Sequence, residues 1–157
     1  MKTVEITEWV ERFLDTLDNE SVYLVDVSWS KKANKLEVFI ESDKDLTLGD
    51  VQKISRQMEE AIDQYDILEE AYRLDVSSPG IDRPLKLKRQ YVKNVGRIVL
   101  IELQDGKSLV GKLNLVGEKH LSISPETPGY KSRKPTYGEE INIAWEDIKQ
   151  TIVQIRF

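Results

Sequence analysis

The chain has 157 residues, 39% hydrophobic and 32% charged, with a formal net charge of -5, no cysteine and a single histidine. That length suits one domain or two small ones, and the composition excludes collagen-like, disulfide-framework and wholly disordered classes. The missing thiols exclude disulfides, thiol nucleophiles, Fe–S clusters and thiolate zinc sites together.

No apolar run approaches the roughly 20 residues that span a bilayer. The N-terminal stretch MKTVEITEWVERF is acidic and amphipathic, without a signal-peptide apolar core. A protein neither inserted in a membrane nor secreted by that route is expected, with no membrane partner. Ile6, Trp9, Val10, Phe13, Leu14 and Leu17 repeat at helical spacing and predict an amphipathic helix over residues 4–18. Tyr23, Val25, Val27 and Trp29 then alternate with Leu24, Asp26 and Ser28. The polar turn Lys31-Lys32-Ala33-Asn34 leads into a second strand, Leu36 to Ile40, which predicts a hairpin.

Thr47 followed by Asp50 has the spacing of a capping box. It opens a helix over about 48–65 whose stripe is Leu48, Val51, Ile54, Met58, Ala61, Ile62 and Tyr65. Tyr72, Leu74 and Val76 alternate with Arg73 and Asp75 in a third strand that ends at Ser77-Ser78-Pro79-Gly80. The order αββαβ over residues 1–82 predicts a two-layer domain, so the chain as a whole is read as α+β.

From Lys88 to Lys93 a short helix is expected, after which strands dominate. Arg97 to Gln104 and Lys107 to Val116 flank Asp105-Gly106, a strong hairpin signal. Leu121 to Ser124, Ile141 to Trp145 and Ile152 to Ile155 supply three more strands. Residues 83–157 therefore predict a small closed barrel of SH3-like or Sm-like type. Within it, Pro125 to Glu140 reads as a long mobile loop carrying Lys131, Arg133 and Lys134.

Charge divides the chain as sharply as pattern does. Residues 1–85 hold 10 Lys+Arg against 20 Asp+Glu, net -10, whereas residues 86–157 hold 13 against 8, net +5. Lys86, Lys88, Arg89, Lys93 and Arg97 fall within twelve residues; such density suits phosphate contact, and a merely solvated helix face is the plainer alternative. Arg83 offers a fork for phosphate or carboxylate, or pairs with Asp82. No G-x-x-G loop and no aromatic RNA-reading strand occur. The acidic N-terminal part is thus the better match for a basic protein.

Catalysis finds little support. Ser77 or Ser78 with His120 lacks a G-x-S-x-G elbow, and Glu59-Glu60, Glu69-Glu70 and Glu139-Glu140 are sequence neighbours whose side chains point apart. No catalytic residue, metal site, cofactor or small-molecule substrate is expected. Trp9, Trp29 and Trp145 lie on apolar patterns and are read as core or half-buried, and His120 as a surface or turn residue.

Leu74-Asp75-Val76-Ser77-Ser78-Pro79-Gly80-Ile81-Asp82-Arg83-Pro84-Leu85 closely resembles the signature of the bacterial ribosome maturation factor RimP family. Tyr23 to Val27, Leu36 to Ser42, Leu46-Thr47-Leu48, Ser55-Arg56, Ile62-Asp63 and Tyr91 to Gly96 extend the likeness, while the long basic stretch from Pro125 to Glu140 departs from it. The resemblance implies an α/β domain joined to an Sm-like or SH3-like barrel, in a cytoplasmic, non-enzymatic, cofactor-free protein; a tethered N-terminal domain beside a single barrel favours a monomer. It implies binding to the free small (30S) ribosomal subunit or its precursor, through rRNA and a basic ribosomal protein, to promote assembly. Arg83, Lys86, Lys88, Arg89, Lys93, Arg97, Lys131, Arg133 and Lys134 are the expected rRNA contacts. Ser77, Ser78, Pro79, Gly80, Asp82, Pro84 and Leu85 form the expected interdomain signature loop. The competing expectation is a general Sm-like RNA chaperone, which a hexamer or heptamer in sedimentation would favour.

Overall fold

The computed structural model describes residues 3–68, 71–80, 83–130 and 133–154. Its contacts divide the chain into two compact units, Met1–Pro79 and Gly80–Phe157.

In the first unit, the helical spacing of Ile6, Val10 and Leu14 produces α1 (Thr3–Asp15), whose buried residues are these three. The extended runs become β1 (Val22–Ser30) and β2 (Lys35–Ser42), paired antiparallel. Asn34 closes the intervening turn with a φ of 49°, a left-handed value that Asn tolerates better than most residues. α2 (Leu48–Gln64) buries Ile54, Met58 and Ile62, and β3 (Arg73–Ser77) then pairs parallel to β2. The sheet order is β1-β2-β3. The order αββαβ and both helices over one core thus agree with the sequence pattern.

Both ends of α2 are built by local hydrogen bonds. At its start the Thr47 Oγ1 accepts from the Asp50 N–H at 3.1 Å and the Asp50 Oδ2 accepts from the Thr47 N–H at 3.1 Å, which satisfies two donors that the helix would otherwise leave unpaired. At its end Asp66 takes a φ of 49° and the Ile67 N–H donates to the Ile62 carbonyl at 3.1 Å, the reversal that terminates many helices.

One alternation is broken. The pairing of β1 with β2 shifts between Leu24 and Asp26, so that Leu24 faces Ile40 while Val27 faces Val38 and Trp29 faces Leu36. The extra residue is Val25. A bulge of this kind reverses the side-chain parity that follows it, so Tyr23 and Val25 do not share a face with Val27 and Trp29. The helix-covered core instead takes Val22, Leu24, Val27 and Trp29 from β1, with Leu36, Val38 and Ile40 from β2. On the opposite sheet face Lys35 Nζ lies 3.2 Å from Asp75 and 3.6 Å from Glu37.

The second unit begins with α3 (Lys88–Lys93) and continues in strands: β4 (Ile98–Leu103), β5 (Ser108–Val116), β6 (His120–Thr127), β7 (Thr136–Tyr137), β8 (Ile141–Ala144) and β9 (Ile148–Val153). The sheet runs β7-β6-β5-β4-β9, with β8 also paired to β6. Its core is Tyr91, Val99, Ile101, Leu113, Leu121, Ile123 and Ile143.

A 3-10 turn, Trp145–Asp147, joins β8 to β9. In a flat sheet those strands, separated by β6, β5 and β4, would stand roughly 19 Å apart, whereas one 3-10 turn advances only about 6 Å. The sheet must therefore curl strongly. Among the described residues no ladder joins β8 to β9, so the sheet is curled without being closed by hydrogen bonds. The segment expected as a loop, Pro125 to Glu140, is partly regular: β6 extends to Thr127 and pairs with β7 through Glu126↔Tyr137 and Thr127↔Thr136.

Candidate functional site

The signature segment starts in one core and ends in the other. Leu74 and Val76 of β3 pack against the first core, and Leu85 packs against the second. The Leu85 N–H also donates to the Thr151 carbonyl of β9 at 2.8 Å, so the segment is fixed to its own unit by backbone as well as side chain. Between these anchors Ser77, Ser78, Gly80, Arg83 and Pro84 are exposed and Pro79 is half-buried. The Arg83 N–H donates to the Gly80 carbonyl at 3.0 Å. Ile81 and Asp82 lie outside the described residues, and with them the expected Asp82–Arg83 pair.

The cations that follow are arranged by α3. Its inward face is Gln90, Tyr91 and, one position beyond the helix, Asn94, all buried. Lys88 and Arg89 therefore point outward and are exposed, as are Lys86 and Arg97, with Lys93 half-buried. The buried polar residues are satisfied. Gln90 Oε1 accepts from the Lys86 and Leu87 N–H groups at 2.7 and 2.8 Å, and Asn94 Nδ2 donates to the Gln90 carbonyl at 2.7 Å. The Tyr91 hydroxyl donates to Thr151 Oγ1 at 2.8 Å, and burial pushes its pKa up.

Lys88 and Arg97, both expected phosphate ligands, make defined contacts within the unit. Lys88 Nζ donates to the Glu118 carbonyl at 2.8 Å and sits 5.3 Å from the Trp145 ring centroid, a distance at which the ring face attracts a cation. Trp145 is itself held, its indole N–H donating to the Gly117 carbonyl at 3.0 Å and its ring meeting Tyr91 edge-on at 4.9 Å. Arg97 donates from one guanidinium nitrogen to Asn94 Oδ1 at 3.2 Å. Its neighbour Gly96, with a φ of 94°, donates its N–H to the Leu113 carbonyl at 2.7 Å. The arginine head is thus preoriented through the relay Gln90–Asn94–Arg97.

Gln90 and Asn94 are the positioning residues that the sequence reading missed. Their signal was two amides four apart on the otherwise inward side of a short helix, next to Tyr91. The remaining expected cations lie elsewhere: Arg133 and Lys134 are exposed on the return arm of the β6–β7 hairpin, and Lys131 lies outside the described residues. His120 is half-buried at the start of β6, its carbonyl accepting from the Gly117 N–H at 2.8 Å.

The first unit presents a different surface. A groove of about 520 Å³ lies between the end of α1 and the start of α2, with Asp18, Asn19, Asp50, Lys53 and Gln57 in its lining. Its acidic residues follow from the charge balance of this half of the chain. Tyr72 anchors β3 to α2 by donating its hydroxyl to Asp63 Oδ1 at 2.9 Å; burial, and then that bond, raises its pKa far above the ordinary tyrosine value of 10.0.

Residues 10–82 match the family model described as the RimP N-terminal domain. The matched range runs from the middle of α1 through β3 and into the signature segment, so it covers the acidic unit and stops before the cation-bearing helix.

Proposed function

We propose that the chain is a ribosome maturation factor of the RimP family, whose N-terminal domain residues 10–82 match, and that it binds the free 30S subunit or its precursor and promotes assembly by binding alone. The observation that carries this reading is the match over residues 10–82. In this reading the exposed arginines and lysines from Arg83 to Arg97 neutralise rRNA phosphates, and the acidic first unit meets a basic ribosomal protein. The protein acts in the cytoplasm; among the described residues no helix is long and apolar enough to cross a membrane. The second unit is a barrel of the SH3-like or Sm-like kind, a reading supported by its strong curl and by the 3-10 turn before the last strand.

Sedimentation with free small subunits, large subunits and whole ribosomes at two salt concentrations tests the proposal. Selective co-sedimentation with free small subunits is expected, and the triple variant Arg83→Glu, Lys86→Glu and Arg89→Glu should weaken it. If four phosphates are neutralised, log affinity should fall with log salt at a slope of about -3 to -4. Equal binding to all particles, or to none, overturns the reading.

The β8 and β9 edges, which pair with no further strand among the described residues, favour one rival, a general Sm-like chaperone that assembles through such edges. Sedimentation of the protein alone separates the two, a monomer supporting the first and a hexamer or heptamer the second.

A further inference from the structure

The second unit carries two exposed aromatic side chains on a single hairpin. Tyr130 is 77% exposed and Tyr137 42% exposed. Large rings this exposed add little to a core, and their exposure is the kind of feature that marks a contact surface.

The hairpin holds them in register. Glu126 pairs with Tyr137 and Thr127 with Thr136, and the Arg133 N–H donates to the Tyr130 carbonyl at 3.2 Å. The ladder ends at Thr127 and Thr136, and the Arg133–Tyr130 bond has the same residue offset as its two pairs. The arms come so close that a Cβ at Gly129 would collide with the Arg133 carbonyl. Tyr137 faces Glu126, four residues before Tyr130, a separation of about 13 Å for extended backbone. Arg133 and Lys134, both exposed, stand between them in sequence.

We propose that this hairpin is a stacking platform for unpaired rRNA bases, with Tyr130 and Tyr137 each taking a base and Arg133 and Lys134 neutralising the linking phosphates. Two exposed rings flanking a pair of cations suit a flexible single strand, whose bases expose their faces, and do not suit an A-form duplex, whose bases are already stacked. The positive balance of residues 86–157 favours a nucleic acid over a basic ribosomal protein. The inference rests on the reading that the chain binds small-subunit rRNA, and adds which RNA element the hairpin takes.

The test measures fluorescence anisotropy of a labelled oligouridine and of an RNA duplex of equal length, using the full chain. The double variant Tyr130→Ala with Tyr137→Ala should lose about tenfold or more in single-strand affinity and nothing on the duplex. Tyr130→Phe with Tyr137→Phe should bind like the unsubstituted chain, because stacking needs the ring and not the hydroxyl. Circular dichroism of each variant checks the fold. The inference is overturned if the unsubstituted chain does not bind the single strand, or if the alanine variant loses nothing or loses equally on both RNAs. It is also overturned if that variant loses affinity only for RNA-free small-subunit proteins. Sedimentation with small subunits keeps the two proposals apart: intact co-sedimentation with unchanged oligouridine binding in the alanine variant sinks the hairpin alone, whereas no co-sedimentation of the unsubstituted chain sinks the parent reading.

Discussion

The two units solve the burial problem in opposite ways. The first lays α1 and α2 over one sheet face, and its core of Ile6, Val10, Leu14, Val22, Leu36, Val38, Ile40, Ile54, Met58 and Ile62 is aliphatic apart from one thioether. The second has a single short helix and curls its sheet, so its interior admits more polar side chains: Gln90, Asn94, Ser122 and Thr151 are buried there, against Ser42 among the described residues of the first unit. Apolar cores fail when volume is lost, and polar interiors fail when a partner is lost. The division of charge follows the same line, the acidic unit resting on apolar packing and the basic unit using buried amides to aim a cation.

The largest expected effect breaks the first kind of core. Met58 is fully buried between the helices and the sheet, and Met58→Ala should destabilise the first unit by about 2–5 kcal/mol. Urea unfolding followed through amide exchange of β2 and β5 should show the loss in β2 and leave β5 unmoved. A loss of less than about 1 kcal/mol would mean that the site collapses around the missing atoms.

Gly111 is the second unit's counterpart. It lies on β5 in register with Pro125 of β6, and a Cβ there would come within 2.5 Å of the Ser124 carbonyl and 2.7 Å of the Ile123 side chain. Backbone cannot yield as a flexible side chain does, so Gly111→Ala should cost about 1–3 kcal/mol, read as a lower thermal midpoint with β5 and β6 amides exchanging faster. Unchanged stability would mean that the two strands separate at no cost.

The places where the fold exceeded the sequence reading follow from the same contrast. Thr47 and Asp50 were legible because a capping box is complete within four residues. The bulge at Val25 was not, since an uninterrupted alternation from Tyr23 to Trp29 contains no Gly, Pro or Asn to announce it; register with β2 decides it. The hairpin of β6 and β7 was hidden by Pro125, Pro128 and Pro135, residues that read as a loop although Pro125 lies within β6 and Pro128 and Pro135 fall just outside the two strands. For the site, the positions of the cations could be read from the sequence, but their partners could not. The carbonyl that holds Lys88 belongs to Glu118, 30 positions away.

A smaller effect sharpens the polar side of the comparison. Tyr91→Phe preserves the ring against Trp145 and removes only the hydroxyl that reaches the fully buried Thr151. The expected cost is about 1–2 kcal/mol, with Thr151→Val on top of Tyr91→Phe recovering part of it, because an apolar pair leaves no buried group unsatisfied. A recovered double variant would show that the bond gives position more than stability, whereas an additive loss would make both hydroxyls independent contributors.

The smallest effect lies at the exposed end of α2, where the first unit is polar and open to water. The N–H of Thr47, then its hydroxyl group, and to a lesser degree the Lys53 charge, hold the Asp50 carboxyl below its ordinary pKa of 3.8. A carboxylate with a lower pKa in the folded state binds its proton less readily there than in the unfolded chain. Its stabilisation is therefore complete above about 3.8 and is lost as the pH falls through the lower folded value. Asp50→Asn keeps an acceptor for the Thr47 N–H and removes the titration. The variant should have a flatter stability curve than the parent in acid, by a margin small enough that solvent screening sets its size, and the same curve shape at neutral pH. Identical acid limbs in parent and variant would mean that the cap acts by geometry alone and that the charge at the helix start contributes nothing.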